Sequence, residues 1–220
     1  MDLAQLLPVA IAVAIMLLIG FPVHEFSHAL AAYRLGDATA KLQGRLTLNP
    51  IAHFDPLGGT LLVLTFLGSG GGFGFGWAKP TPVNPRNLEG GHMGEAIVAA
   101  AGPISNLVMA IVAALPLRYM LANRDLLDQI PALVPQVLAT FVLINLVLMI
   151  FNLVPIPPLD GSKVLFAFLP PQTAWRWRPI LEQYGFILLI LVFFFPPGDS
   201  IGGRVLVPVL RALLGFLVGS

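Results

Sequence analysis

Two histidines and a glutamate lie close together in an otherwise apolar stretch, FPVHEFSHALAAYRLG, residues 21 to 36. His24 and His28 are four positions apart, so an α-helix places both imidazoles on one face. Two such nitrogens can bind one zinc ion, and the adjacent Glu25 can act as general base on a water there. Ionisable residues inside a membrane run are functional by default. The pattern predicts a metal site; a polar helix end at the headgroups is the alternative.

A zinc ion in a catalytic site usually takes three protein ligands, so a third must come from another part of the chain. The segment FNLVPIPPLDGSKV, residues 151 to 164, closes a long apolar stretch with three prolines and then Asp160. Proline-broken backbone at a membrane is tolerated only where it is buried or lines a cavity. Asp160 is the expected third ligand, and the alternative is a helix N-cap before GSKVLFAFL. The remaining histidines, His53 and His92, fall in loop segments.

The elements that position these residues lie in a membrane. The chain has 220 residues, of which 57% are hydrophobic and 10% charged, whereas soluble domains carry about 25% charged residues. The mean hydropathy of +0.86 agrees. The net charge of +1 gives no field that would attract nucleic acid, and the absence of cysteine excludes disulfides and thiolate metal sites. These numbers predict an integral membrane protein in contact with the lipid bilayer.

The fold class expected is an all-α polytopic membrane protein with about five spanning helices. The first run starts Met1-Asp2 without a positive segment, which favours a retained helix over a cleaved signal peptide. The whole chain, 1–220, is expected to form one membrane-embedded domain, with a core over 10–170 and a C-terminal helical hairpin over 180–218. The apolar runs that predict spans are residues 3 to 33, 96 to 121, 133 to 154, 180 to 196 and 204 to 218.

Shorter elements are expected between the first two spans. Residues 57 to 68 are apolar but too few to span, which favours a re-entrant or interfacial segment. Residues 40 to 50 alternate polar and apolar side chains, which predicts a short strand or hairpin. Alternating glycine and phenylalanine at 72 to 76 favours an extended strand, with a flexible loop as the alternative. His53 and Asp55 are interpreted as a second polar site, a gate or turn caps.

The basic residues orient the bundle. They concentrate in the segments 34 to 95 and 160 to 179, which the positive-inside rule places in the cytosol. The expected topology then has the N-terminus outside, the C-terminus inside and the metal site towards the cytosolic side of a plasma or inner membrane.

Three motifs in this order resemble the site-2 protease family of intramembrane zinc metalloproteases. They are HEFSH in the first helix, AGPISN at 101 to 106 and NLVPIPPLDG at 152 to 161. The resemblance covers roughly residues 10 to 170. It implies that His24, His28 and Asp160 bind one zinc ion, that Glu25 activates water and that Asn152 steadies the oxyanion. Gly102-Pro103 fits a helix start, and Asn106 is expected to bond a neighbouring helix.

The resemblance also implies how a substrate is held. The strand at Gly72, Phe73, Gly74, Phe75 and Gly76 is similar to a re-entrant β element proposed to pair with an unwound substrate in that family. An exposed strand edge offers hydrogen-bond partners to a peptide that has lost its helix. The chain departs from larger members, since neither a PDZ-like nor a nucleotide-sensing domain is expected, which is typical of a compact subgroup.

The function expected is hydrolysis of a peptide bond in or near a transmembrane helix of another membrane protein. Two alternatives stay open at this point: a metal-binding transporter or channel, and an inactive scaffold of the same fold. The pattern favours neither a nucleic-acid partner nor a particular oligomeric state.

Overall fold

The computed structural model describes residues 3–68, 76–196 and 199–219. Within these ranges all regular secondary structure is helical, which agrees with the all-α expectation. A π-helical turn, Met16–Gly20, joins the first two helices, and a 3-10 turn spans Pro85–Asn87. The α-helices are α1 Leu3–Ile15, α2 Phe21–Arg34, α3 Thr39–Leu42, α4 Pro50–His53, α5 Pro56–Gly68, α6 Gly91–Ala122, α7 Arg124–Gln129, α8 Leu133–Asn152, α9 Asp160–Phe168, α10 Pro171–Phe194 and α11 Ile201–Val218.

Five helical stretches of the described chain are long and apolar enough to cross a membrane. They are Leu7–Arg34, which includes most of α1 and all of α2, and the helices α6, α8, α10 and α11. At about 1.5 Å per residue, helices of this length match a hydrocarbon core of about 30 Å. The chain is therefore a multi-pass integral membrane protein.

Helix α6 is the centre of the bundle, because it packs against α2, α8, α9 and α11. Its face towards α8 carries the buried alanines Ala110, Ala113 and Ala114, opposite Val142 and Leu146. Small side chains let helix backbones approach closely, which is how helices associate where lipid removes the hydrophobic driving force. This packing fixes the distance between α6 and α8 beside the metal-site residues.

The first span changes helix type just before the histidine motif. The N–H of Phe21 donates to the carbonyl of Met16, five residues earlier, which defines the π-helical turn. Pro22 follows in the first turn of α2 and has no N–H to donate to Leu18. Such turns are frequent at functional sites, and this one sets the rotation at which α2 presents His24 to α6.

The predicted strand or hairpin at residues 40 to 50 is wrong. The structure has two short helices there, α3 and α4, separated by a turn. The N–H of Arg45 donates to the carbonyl of Ala40, and the side chain of Asn49 accepts from the N–H of Ile51 to cap α4. Local caps and tertiary contacts therefore override the alternating pattern.

Two further expectations concern helix boundaries. The apolar segment after residue 56 forms α5, a 13-residue helix; its re-entrant course stays a prediction. The expected helix start at Gly102-Pro103 is wrong, because α6 begins at Gly91 and contains Pro103. Proline inside a membrane helix is tolerated when neighbouring groups satisfy the freed backbone.

Candidate metal centre

Three ligand-type side chains from distant parts of the chain converge within the bundle. His24 and His28 are on α2, and Asp160 is the first residue of α9. The Nε2 atoms of the histidines are 3.1 Å apart, and Oδ2 of Asp160 lies 3.4 Å from Nε2 of His24 and 3.2 Å from Nε2 of His28. All three side chains are buried. A tetrahedral ion with ligand bonds near 2.0–2.1 Å needs ligand atoms about 3.3 Å apart, so this triangle fits a divalent metal.

The outer nitrogen of each imidazole is held by another helix. Nδ1 of His28 lies 2.7 Å from the carbonyl oxygen of Val98, and Nδ1 of His24 lies 2.5 Å from Oδ1 of Asn106, both on α6. Carbonyl oxygens only accept, so both Nδ1 atoms must carry the proton. Each Nε2 lone pair is then free to face the centre of the triangle, which is the tautomer that metal-binding histidines need.

The amide of Asn106 is oriented by a second asparagine. Its Nδ2 donates to Oδ1 of Asn145 on α8, at 3.0 Å. Nδ2 of Asn145 in turn donates to the backbone carbonyl of Phe141, at 2.9 Å. Both asparagine side chains are fully buried. The expectation that Asn106 bonds a neighbouring helix is confirmed. Asn106 also holds His24. Asn145 was not predicted from the sequence, because an asparagine within an apolar run carries no motif of its own.

Gly102 makes room for the two imidazoles. A Cβ atom at this position would overlap the Nε2 atoms of both His24 and His28. The backbone of α6 therefore passes directly behind the histidine pair, and only glycine permits that approach. The glycine of the AGPISN motif thus has a packing role at the site, in place of the helix start expected from the sequence.

Asp160 lies where α9 begins, and its side chain points to the histidines. The N-cap position of α9 is Leu159, and no side-chain cap bond is made there, so the alternative interpretation of Asp160 as an N-cap is wrong. The partial positive charge of a helix N-terminus favours a carboxylate in the first turn. Nζ of Lys163 lies 3.7 Å from Oδ1, which leaves Oδ2 for the triangle.

Glu25 is held by a residue that the sequence analysis missed. Its Oε2 atom accepts from the backbone N–H of Thr81 at 2.8 Å and lies 2.7 Å from the Thr81 hydroxyl. Thr81 belongs to the proline-rich segment after residue 78, which is 56 positions away from Glu25. Thr81 was missed because nothing in the sequence links this segment to the histidine motif.

A cavity of about 510 Å³ adjoins the metal-site residues. His24 and Glu25 line it together with the predicted residues Asn152 and Gly76. Nδ2 of Asn152 donates to the carbonyl of Leu148 at 3.0 Å, which leaves its second N–H for another acceptor. The predicted strand residues Gly72, Phe73, Gly74 and Phe75 lie outside the described residues. Most of the remaining lining is apolar, with Phe21, Trp77, Phe151, Pro158, Phe186 and Leu189.

The second polar pair, His53 and Asp55, does not belong to the triangle, because His53 ends α4 and Asp55 directly precedes α5. Oδ1 of Asp55 accepts from the N–H groups of Leu57 and Gly58, both at 2.9 Å, and so caps α5. Nε2 of His53 donates to the carbonyl of Thr47 at 2.7 Å. The turn-cap interpretation is confirmed for Asp55, while His53 anchors the preceding loop.

Comparison with known proteins places this geometry in a family. A model of peptidase family M50 matches residues 127–192, which include Asp160. A Bacillus subtilis (strain 168) protein named "Putative zinc metalloprotease YwhC" is 41% identical over 199 residues, which cover 90% of this chain and 85% of the relative. The chain belongs to peptidase family M50. This confirms the resemblance to the site-2 proteases.

Other M50 relatives are more distant. Proteins named "Putative zinc metalloprotease Rip2" are 30% identical in Mycolicibacterium smegmatis and 31% in Mycobacterium tuberculosis (strain H37Rv). The matches cover 79% and 81% of this chain and 62% and 65% of those relatives. No solved structure matches the chain.

Proposed function

We propose that this M50 protein is a zinc-dependent intramembrane endopeptidase that hydrolyses a peptide bond in or near a transmembrane helix of a membrane protein substrate. The observation that carries the proposal is the triangle of His24, His28 and Asp160, whose edges of 3.1–3.4 Å match tetrahedral zinc. The relatives are named zinc metalloproteases, which favours hydrolysis over a transporter or channel.

Different residues of the chain carry out different steps of the proposed hydrolysis. Zinc, when bound, supplies a Lewis acid that makes a water acidic near neutral pH and polarises a carbonyl. Glu25 takes the proton of the attacking water and passes it to the leaving amine nitrogen. Asn152 donates its second N–H to the oxyanion that forms on the scissile carbonyl. His24, His28 and Asp160 hold the ion in place while these protons move.

The cavity supports an apolar peptide as substrate. Its lining is mostly aromatic and aliphatic, with Phe21 and Leu148 facing a space that also reaches Glu25. Side chains of a transmembrane helix fit such a lining, because polar groups without partners there would each cost several kcal/mol. A substrate segment that enters from lipid therefore exchanges one apolar surrounding for another.

The proposal is tested with a Glu25→Gln variant. The purified chain is reconstituted in phosphatidylcholine–phosphatidylglycerol vesicles with a quenched fluorescent peptide that carries a 20-residue apolar segment flanked by lysines. Wild type is expected to cleave the peptide and to lose activity when zinc is chelated and regain it on zinc addition. Glu25→Gln is expected to bind zinc equally and to show no cleavage above background. Cleavage by Glu25→Gln at the wild-type rate would refute the proposal.

The topology proposed has the N-terminus outside and the metal site towards the cytosol. The chain contains no cysteine, so single introduced cysteines report sidedness without background. Arg86→Cys lies in the exposed loop before α6, and Asp125→Cys in the exposed segment after it. In cells, a membrane-impermeant maleimide is expected to label Asp125→Cys but not Arg86→Cys, and the reverse pattern would invert the topology.

A further inference from the structure

Two donors of one residue converge on one oxygen of Glu25. The backbone N–H of Thr81 lies 2.8 Å from Oε2 and the hydroxyl lies 2.7 Å from the same atom. The hydroxyl is also 3.0 Å from the backbone carbonyl of Glu25. Among the described residues, no donor is placed on Oε1. Oε2 therefore accepts the bonds that hold the carboxylate, while Oε1 accepts none from the described residues.

The segment that carries Thr81 is fixed on its N-terminal side by Arg45. The guanidinium donates through Nη2 to the carbonyls of Lys79 and Pro80 and through Nη1 to that of Ala52. The N–H of Lys79 also donates to the carbonyl of His53, at 2.9 Å. Arg45 is 5% exposed, and burial lowers the pKa of its guanidinium while the charge of Glu25 opposes that shift.

The same segment is fixed on its C-terminal side by Asp37. Oδ2 of this fully buried carboxylate accepts from the backbone N–H of Asn84 at 2.7 Å. Pro80 and Pro82 flank Thr81 and hold φ near −65° without offering an N–H. Thr81 is thus the one residue of the Pro-Thr-Pro tripeptide whose backbone can donate to Glu25, and the anchors keep it in place.

We propose that Thr81 is a positioning residue that aims the Glu25 carboxylate at the metal centre. The inference rests on the proposed function, since it assigns Glu25 the proton transfers. Glutamate has three rotatable side-chain bonds, and ordering it from solvent-like freedom costs free energy. Two donors on Oε2 select one orientation in advance, so that Oε1 faces the reacting water. Thr81 therefore contributes to catalysis through Glu25 and not through a contact of its own with the substrate.

The test is a hydroxyl series at this position. Thr81→Val keeps the shape and backbone N–H but removes the hydroxyl, and Thr81→Ser keeps the hydroxyl and removes the methyl group. With the vesicle-reconstituted peptide assay, kcat of Thr81→Val is expected to fall about 10-fold with unchanged KM, the effect of losing one hydrogen bond to a charged group. Thr81→Ser is expected to stay within about 3-fold of wild type. Zinc content and the thermal unfolding midpoint are expected to stay unchanged.

Thr140→Val is the matched control. The Thr140 hydroxyl donates to the carbonyl of Gln136 within α8. Removal of this hydroxyl is expected to leave kcat unchanged. If Thr81→Val does not fold, Thr81→Ala is used in its place. A Thr81→Val enzyme with wild-type kcat, a Thr81→Ser enzyme as slow as Thr81→Val, or a loss explained by lost zinc would each overturn the assignment.

The two proposals fail in different ways. If Glu25→Gln is inactive and Thr81→Val is fully active, the positioning role is wrong and the protease proposal stands. If Glu25→Gln cleaves the peptide as fast as wild type, the protease proposal is wrong, and any effect at Thr81 reflects structure alone.

Discussion

The proposed metal ligands His24 and His28 and the proposed general base Glu25 are held by different kinds of structure. His24 and His28 are held by α6 through Val98 and Asn106, inside a packed helix bundle. Glu25 lies on the same helix α2, yet its carboxylate is held by Thr81 from a segment without regular secondary structure. Helix α2 thus directs the two histidines into the helix bundle and Glu25 towards the segment that carries Thr81.

The difference shows that the proposed metal ligands and the proposed general base are held by different parts of the chain. Buried helix contacts such as Asn106–Asn145 change only if α6 and α8 separate, whereas the segment around Thr81 depends on a few side-chain anchors. Changes on the helix side are expected to act on zinc affinity, and changes on the loop side on kcat. Four predictions test this division, from the largest effect to the smallest.

Asp160→Ala is expected to abolish both zinc binding and activity. The change removes one corner of the ligand triangle and leaves two imidazoles, which is fewer than the three protein ligands of a catalytic zinc site. Zinc per chain is measured by mass spectrometry and cleavage with the vesicle assay. Asp199→Ala, which removes an exposed aspartate paired with Arg204, is the control and should keep both. Full zinc content in Asp160→Ala would remove this residue from the ligand set.

Gly102→Ala is expected to weaken zinc binding about 100-fold, which corresponds to the upper range of overpacking penalties. The added methyl group overlaps both Nε2 atoms and must push the imidazoles out of the triangle. Zinc affinity is measured by competition with a coloured chelator. Gly68→Ala is the control, because among the described residues no atom beyond its own helix turn and chain neighbours lies within 4 Å of a Cβ there. Equal affinity in the two variants would show that α6 does not press on the histidines.

Asn106→Ala is expected to weaken zinc binding about 30-fold, within the range seen for groups that orient metal ligands. The change frees Nδ1 of His24 and leaves Oδ1 of Asn145 without its donor. Asn123→Ala, which removes an exposed amide that donates to Tyr119, is the control. A fall in kcat with unchanged zinc affinity would contradict the expectation that changes on the helix side act on zinc affinity.

Asp37→Asn, on the loop side, is expected to lower stability and kcat and to leave zinc affinity unchanged. Burial acts to raise the pKa of Asp37, but donors on Thr39, Asn84 and Asn87 outweigh it, and the pKa lies below its usual value. Loss of the charged acceptor should destabilise the fold by about 1–3 kcal/mol. A depressed pKa contributes stability above the unfolded value of about 3.9 that is lost as pH falls through the folded value.

The pH dependence checks the Asp37 assignment. The difference in thermal unfolding midpoint between wild type and Asp37→Asn should be constant from pH 8 to about pH 5 and shrink below about pH 4. A difference that grows on acidification would have the opposite sign and would contradict the depressed pKa. Zinc content at pH 7 should match wild type in the variant.

The structure brings together the three residues that the sequence singles out, His24, His28 and Asp160, and two of them share a face by helix geometry. Their binding of zinc stays a prediction. His24 and His28 share a face by their spacing, and Asp160 was found from the proline-broken end of an apolar run. The spanning helices follow from hydropathy. Each of these predictions depends on local spacing or composition, which one chain is enough to reveal.

The supports of the site could not be predicted in the same way. Thr81, Arg45 and Asn145 act through contacts to atoms far along the chain, several of them backbone carbonyls that carry no sequence signal. The start of α6 was misplaced because proline is usually a helix-start signal, whereas Pro103 lies within a membrane helix. Hydrogen bonds between residues far apart in the chain can be identified only from a three-dimensional structure.

The two neutral amide side chains behind His24, those of Asn106 and Asn145, affect the electrostatics of the site. Asn106 and Asn145 orient the imidazole with dipoles and add no formal charge in a low-dielectric interior. If His24 and His28 hold a divalent ion as neutral imidazoles, Asp160 would supply the one negative charge of the proposed ligand set against two positive charges. Under the proposed function, a bound divalent ion would leave the three-ligand set with a net positive charge, which would favour an oxyanion beside it.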